Sequence, residues 1–166
     1  MTNSFLWSSD DHNTNLDQFK KKILHKIKNT SYASLHNWSV SKKSDFWSAI
    51  WDFTSIKGIK QKPIIENEES FIDSIFFKNS KLNFTENIIQ RRDSENAIVF
   101  YSEQGFKRKI SWKKLDQYVS KIAQHFIDID INKGDRIVGV LPNIPETVIS
   151  FLAAAKIGAI WSSCSA

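Results

Sequence analysis

The stretch from Ser111 to Ser163 constrains the fold most. Trp112, Leu115, Val119, Ile122, Ala123, Phe126 and Ile127 keep a 3.6-residue period behind Ser111, which predicts a capped amphipathic helix. Lys133-Gly134-Asp135 then makes a turn in which Asp135 is expected to bond local backbone amides. Arg136-Ile137-Val138-Gly139-Val140-Leu141 is a nearly continuous apolar run, the signature of a buried parallel strand. Asn143, with Glu146 three residues on and Pro145 in the first turn, predicts the cap of the next helix. That helix is expected to run to Lys156 and to stop at Gly158, a residue type that ends helices in the left-handed conformation. Ala159-Ile160-Trp161-Ser162-Ser163 opens another strand. Strand, helix, strand in this rhythm is a βαβ unit, so the fold class is α/β.

Upstream the pattern changes. Ala97–Tyr101 and Phe106–Ile110 predict the two strands of a β-hairpin, joined by a turn over Ser102–Gly105. Leu16, Phe19, Ile23, Leu24 and Ile27 predict a helix over Thr14–Lys28, capped by Thr14 with Asp17 and carrying five lysines on its other faces. A second helix is expected from Ser41 as its N-cap to about Thr54, with Gly58 helping to end it. Phe46, Trp47, Ile50, Trp51 and Phe53 cover more than half of its circumference, so it must be clamped, and Trp47 is expected to be buried. Asn83-Phe84-Thr85-Glu86 is a further cap signal, and Pro63–Ser80 is expected to be irregular or weakly extended. The division that follows is an aromatic-rich helical region over 1–90 and an α/β region over 91–166.

Composition excludes several classes. Five glycines and three prolines do not make a collagen-like or low-complexity chain, and the single Cys164 permits neither a disulfide framework nor a cysteine zinc site. Met1–Asp11 lacks the basic start and apolar centre of a secretory signal. Val148–Ala155, the longest apolar stretch, is too short to span a bilayer. A cytoplasmic protein with no membrane partner is expected. Residues 1–62 carry ten Lys/Arg against five Asp/Glu, whereas the remainder carries thirteen of each. A basic, aromatic segment is compatible with a non-catalytic interaction or RNA-binding module. Helical core spacing and the lack of a known nucleic-acid motif favour a solvated helix face with no nucleic-acid partner.

Four segments carry a family resemblance. They are Phe46-Trp47-Ser48-Ala49-Ile50-Trp51-Asp52-Phe53; Lys81-Leu82-Asn83-Phe84-Thr85-Glu86-Asn87; Lys133-Gly134-Asp135-Arg136-Ile137-Val138 with Pro142-Asn143-Ile144-Pro145-Glu146-Thr147; and Gly158-Ala159-Ile160-Trp161-Ser162-Ser163-Cys164-Ser165. In this order they resemble the N-terminal portion of the acetoacetyl-CoA synthetases, within the adenylate-forming acyl-CoA synthetase superfamily. The tryptophan-rich segment and Trp-Ser-Ser-Cys-Ser favour that branch over the acetyl-CoA synthetase-like alternative.

The resemblance implies a ligase that turns acetoacetate, ATP and CoA into acetoacetyl-CoA, AMP and pyrophosphate with Mg²⁺. It implies a helical N-terminal extension over 1–90 and the start of the AMP-binding α/β domain, truncated, over 91–166. Family members carry their phosphate loop, adenine-binding acid and catalytic lysine further downstream. No catalytic residue and no metal ligand is therefore expected in these 166 residues, and the chain alone is expected to be inactive, to bind the cofactors poorly and to self-associate through its uncovered last strand. Ser162, Ser163 and Ser165 are the candidates for lining the CoA side of a complete site, because a related branch places the turn after this strand near the CoA nucleotide.

Other residues weigh less. Cys164 has no histidine within thirty residues to activate it and is expected to be a small core residue. His12, His25, His36 and His125 show no metal-ligand spacing. Asn143 and Glu146 are expected to be committed to capping; Arg91-Arg92 is a short basic run, and Lys107-Arg108-Lys109, on one hairpin strand, is expected to face water rather than to meet phosphate.

Overall fold

The computed structural model describes residues 13–27, 29 and 31–166, so the readings on Met1–Asp11, His12 and Lys28 lie outside the described residues. The chain divides into two compact units, one ending at Lys81 and the other spanning Leu82–Ala166.

In the first unit, α1 (Asn15–Lys22) opens on the expected capping box. Thr14 Oγ1 accepts from the Asp17 amide at 3.2 Å, and the Asp17 carboxylate accepts from the Thr14 amide at 3.2 Å. The helix stops short of the expected Lys28. Ile23 leaves helical geometry and a 3₁₀ turn (Leu24–Lys26) follows. This tighter turn buries Phe19, Ile23 and Ile27 together and leaves Leu16 and Leu24 exposed.

Helix α2 (Tyr32–Ser41) has no counterpart in the sequence reading, because only Leu35 and Trp38 reach the core and two residues make no period. Ser41 ends this helix and donates its hydroxyl to the Asn37 carbonyl, so it does not cap α3 (Lys43–Phe53), which starts from Lys42 without a side-chain cap. Nor does Gly58 stop α3. Ser55 takes the left-handed conformation (φ 55°) and the Ile56 amide donates to the Trp51 carbonyl, a Schellman ending, while Gly58 lies in β1 (Gly58–Ile59).

Phe19 fits between Phe46 and Phe53, with ring centroids 6.1 and 5.1 Å away. Leu35, Trp38 and Ala49 complete this core. Trp51 is buried at 6% exposure against Phe77, whereas Trp47 is 39% exposed and, among the described residues, meets the Phe46 and Phe76 rings in T-shaped contacts. The expected burial of Trp47 is thus corrected: bulk surrounds α3, but the cover on the Trp47 side is thin. The following stretch is as irregular as expected, holding only the antiparallel pair β2 (Ile65–Glu66) and β3 (Ile75–Phe76).

Strand β4 (Lys81–Leu82) leads into the second unit, and α4 (Phe84–Ile88) begins there with Asn83 as its cap. The predicted hairpin is β5 (Asn96–Tyr101) with β6 (Lys107–Ser111), Ile98 opposite Ile110 and Tyr101 opposite Lys107. Helix α5 (Trp112–Asp128) starts at Ser111, whose hydroxyl accepts from the Lys114 amide. Then come β7 (Arg136–Val140), α6 (Pro145–Ile157) and β8 (Ile160–Cys164), with β7 and β8 parallel.

Leu115, Val119 and Ala123 of α5 meet Ile149, Leu152 and Ala153 of α6 over Ile110 and Ile89. Expectations for α6 and β7 fail in this unit. Asn143 does not cap α6: the helix starts one residue later, so Ile144 holds that position without a side-chain bond, and Glu146 bonds Arg108. Strand β7 is not buried on both faces either. Val138, Val140 and Ile160 are 68%, 62% and 52% exposed, since α6 packs on only one side of this two-stranded sheet.

Candidate functional site

The carboxyl edge of the β7–β8 pair gathers the polar residues singled out in the sequence. In the parallel register Val138 lies opposite Ser162, Gly139 opposite Ser163 and Val140 opposite Cys164. Successive side chains alternate across a strand, so Ser162 and Cys164 share the uncovered face with Val138 and Val140, and Ser163 shares the other with Trp161 and Gly139. Ser162, Ser163 and Ser165 are all exposed. Cys164 is exposed as well, which corrects its expected place in the core: nothing among the described residues covers the face it occupies.

Local contacts hold this edge in place. The Trp161 ring packs so closely on Gly139 that a Cβ there would sit 2.6 Å from Cζ2 and Cη2. The Leu141 amide donates to the Cys164 carbonyl at 3.2 Å, which carries the pairing past the end of β7. In the loop that follows, Thr147 donates its hydroxyl to the Pro142 carbonyl at 2.7 Å and its amide to the Ile144 carbonyl at 3.0 Å. The serine hydroxyls and the neighbouring start of α6 therefore sit where open α/β sheets bind ligands, and hydroxyl and amide donors there suit phosphate or carboxylate oxygens.

At the opposite edge, Asp135 accepts from the Asn132 amide at 2.7 Å, as the turn reading expected. Gly134 adopts φ 93° and donates to the Gly158 carbonyl. His25, His36 and His125 lie on separate elements, and among the described residues no three His, Cys, Asp or Glu side chains gather as a metal cluster.

Both short basic runs make contacts, and Lys107 and Arg108 do more than face water. Arg91 pairs with Asp93 and Arg92 with Asp116, both at 2.7 Å. The Arg91 hydrogen bond holds the Asp93 carboxyl below its ordinary range. Lys107 lies over the Tyr101 ring, 4.6 Å from its centroid. Arg108 Nη2 is 2.7 Å from the Glu146 carboxylate, and this hydrogen bond lowers the Glu146 pKa. Sequence reasoning missed that pair, because no local signal joins a hairpin residue to one 38 positions later.

Residues 85–166 match the family of AMP-binding enzymes. An acetoacetyl-coenzyme A synthetase of Rhizobium meliloti (strain 1021) is 36% identical over 134 residues, which cover 81% of this chain and 21% of that protein. An acetoacetyl-CoA synthetase of Gallus gallus is 31% identical over 172 residues, covering 99% of this chain and 26% of that protein. The chain thus spans about a quarter of the length of the curated relatives it matches. Among solved structures, an acetoacetyl-CoA synthetase from Streptomyces lividans shares the fold with a TM-score of 0.79, over 93% of this chain and 25% of that one, at 24% identity. A sequence match through β7 and β8, relatives along the whole chain and a shared fold agree: residues 85–166 are similar to the AMP-binding enzymes, and the chain is related to the acetoacetyl-CoA synthetases.

Proposed function

We propose that this chain forms the N-terminal portion of a ligase that converts acetoacetate, ATP and CoA to acetoacetyl-CoA, AMP and pyrophosphate. The observation that carries this reading is the 36% identity to an acetoacetyl-coenzyme A synthetase over 81% of the chain. Residues 1–90 serve as the helical extension and 91–166 as the start of the AMP-binding domain. The hydroxyls of Ser162, Ser163 and Ser165 line the CoA side, where exposed donors at the sheet's carboxyl edge suit a phosphorylated ligand. Trp161 against Gly139 fixes the strand that presents them. Mg²⁺, when bound in the complete enzyme, neutralises charge on the ATP phosphates, and residues beyond these 166 hold it.

The RNA-binding alternative draws on the basic first third. Two of its tryptophans, Trp38 and Trp51, are packed away at 8% and 6% exposure and offer no stacking platform. No specific observation favours it.

Adenylation depends on positioned phosphate ligands and a cation aimed at the α-phosphate, and the sequence holds no Gly/Ser/Thr-rich loop ending in lysine to supply them. Purified 166-residue chain with Mg²⁺ is expected to give no acetoacetate-dependent exchange of labelled pyrophosphate into ATP above a no-protein control. Clear exchange would refute the inactivity of residues 1–166. Sequencing the encoding DNA past codon 166 tests the ligase itself: an open frame running through a Gly/Ser/Thr-rich loop supports it, and an immediate stop codon counts against it.

A further inference from the structure

The second unit holds a concave surface away from the serine edge, with a chemistry of its own. Helix α5 brings Lys114, Tyr118 and Lys121 to one face at positions i, i+4 and i+7. Helix α6 contributes Glu146 and Ser150, one turn apart, and β6 contributes Arg108. Together they border a cleft of about 400 Å³ with Ile110, Ile122 and Ile149 at its base. Ile110 and Ile149 are buried, so this base belongs to the rigid core rather than to a mobile loop.

The charges in the cleft do not balance. Glu146 is the one carboxylate in its lining, and Arg108 already holds it at 2.7 Å. Lys109 of β6 lines the cleft as well, and among the described residues Lys109, Lys114 and Lys121 have no acidic partner. Arg108 is also incompletely satisfied: its Nε is buried and makes no hydrogen bond. An unmet buried donor is costly, and more so on a charged group. Three free ammonium groups, a spare guanidinium donor, two hydroxyls and an apolar base are the ingredients of a small-molecule site with a few convergent polar groups.

We propose that this cleft binds a small organic anion, with a carboxylate or phosphate head on a short apolar body. The head sits among Lys114, Lys121 and Arg108, where a modest turn of the guanidinium lets Nε donate to it. The body lies on Ile110, Ile122 and Ile149. Tyr118 and Ser150 flank the entry and donate to head-group oxygens.

Amide NMR titration of the 166-residue chain tests this with three probes of equal chain length: hexanoate, hexyl phosphate and hexanol. At least one of the two anions is expected to saturate shifts around Arg108, Lys114, Tyr118, Lys121 and Ser150, and the tighter one names the head group. Hexanol should bind about tenfold weaker or less, and raised salt should weaken the anion as it screens the lysines. Both lysines are exposed, so Lys114→Gln with Lys121→Gln should fold normally and lower affinity for the anion about tenfold. Failure of both anions to saturate, hexanol binding as tightly as they do, shifts spread over all surface lysines, or undiminished binding by the double variant would each overturn the proposal. Should the double variant not fold, the salt dependence and the hexanol comparison on the unaltered chain decide it.

Discussion

Trp51 and Trp47 sit one turn apart on α3, yet the first is 6% exposed and the second 39%. Both lie in the same aromatic run, so the sequence could say that α3 was surrounded but not on which side the cover was thin. Trp51→Ala is expected to destabilise the fold by about 3–5 kcal/mol, the usual cost of truncating a buried large aromatic. Trp47→Ala should cost about 1 kcal/mol, as for a partly exposed position. Chemical denaturation of the two variants checks the ranking, and equal losses would contradict the packing described. Gly139 is a second residue whose role depends on a neighbour. Gly139→Ala forces its new methyl group against the Trp161 ring and should cost about 1–3 kcal/mol, as overpacking does. Trp161→Leu in that background should recover part of the loss, and a Gly139→Ala chain of unchanged stability would show that the ring moves aside freely.

At the scale of elements, the short helix α4 survives because it is pinned to α6. Five residues are too few for a helix to stand alone in water. The Asn83 side chain accepts from the Glu86 amide at 3.1 Å and donates to the Ala155 and Lys156 carbonyls at 3.0 Å each, joining one helix start to another helix end. Two residues on, the buried Thr85 hydroxyl donates to the Leu152 carbonyl at 2.7 Å. Asn83→Ala should cost about 1–2 kcal/mol for the lost cap alone. Thr85→Val should cost about 1–2 kcal/mol through the lost buried hydrogen bond. Hydrogen exchange should quicken across α4 in both variants, and unchanged protection there would mean that something else holds the helix. The cap at Asn83 was legible because its partner, Glu86, is local. The same signal misled at Ser41, where an earlier helix claims the hydroxyl, and at Asn143, where the helix starts one residue later at Ile144. A cap motif foretells a helix start only where the preceding chain leaves its residue free and in register.

For the molecule as a whole, the uncovered face of β7 and β8 has the largest consequence. Val138, Val140 and Ile160 present an apolar row on a two-stranded sheet, and exposed strands of that kind associate readily. The 166-residue chain is expected to self-associate in sedimentation velocity at micromolar concentration, and Val138→Lys with Val140→Lys should shift it toward monomer. A monodisperse monomer before any substitution would show that this face tolerates water.

The α/β class, the hairpin, the long helix α5, the βαβ unit and the caps at Thr14, Asn83 and Ser111 were determined by the sequence itself. Each rests on interactions between residues a few positions apart: a 3.6 or 2.0 period, a turn glycine, a hydroxyl reaching the amide three residues on. The serine edge was legible for the same reason, since Ser162, Ser163 and Ser165 follow directly from where β8 ends. Tertiary structure alone decided the rest. It buried Trp51 rather than Trp47, ended α1 early so that Ile23 and Ile27 could join Phe19, made a helix of Tyr32–Ser41 from only two core contacts, and left Cys164 in the open. It also brought Arg108, Lys114 and Glu146 to one cleft from three elements. Burial and ion pairing depend on which surfaces meet, and residues dozens of positions apart supply those surfaces without leaving a local trace in the chain.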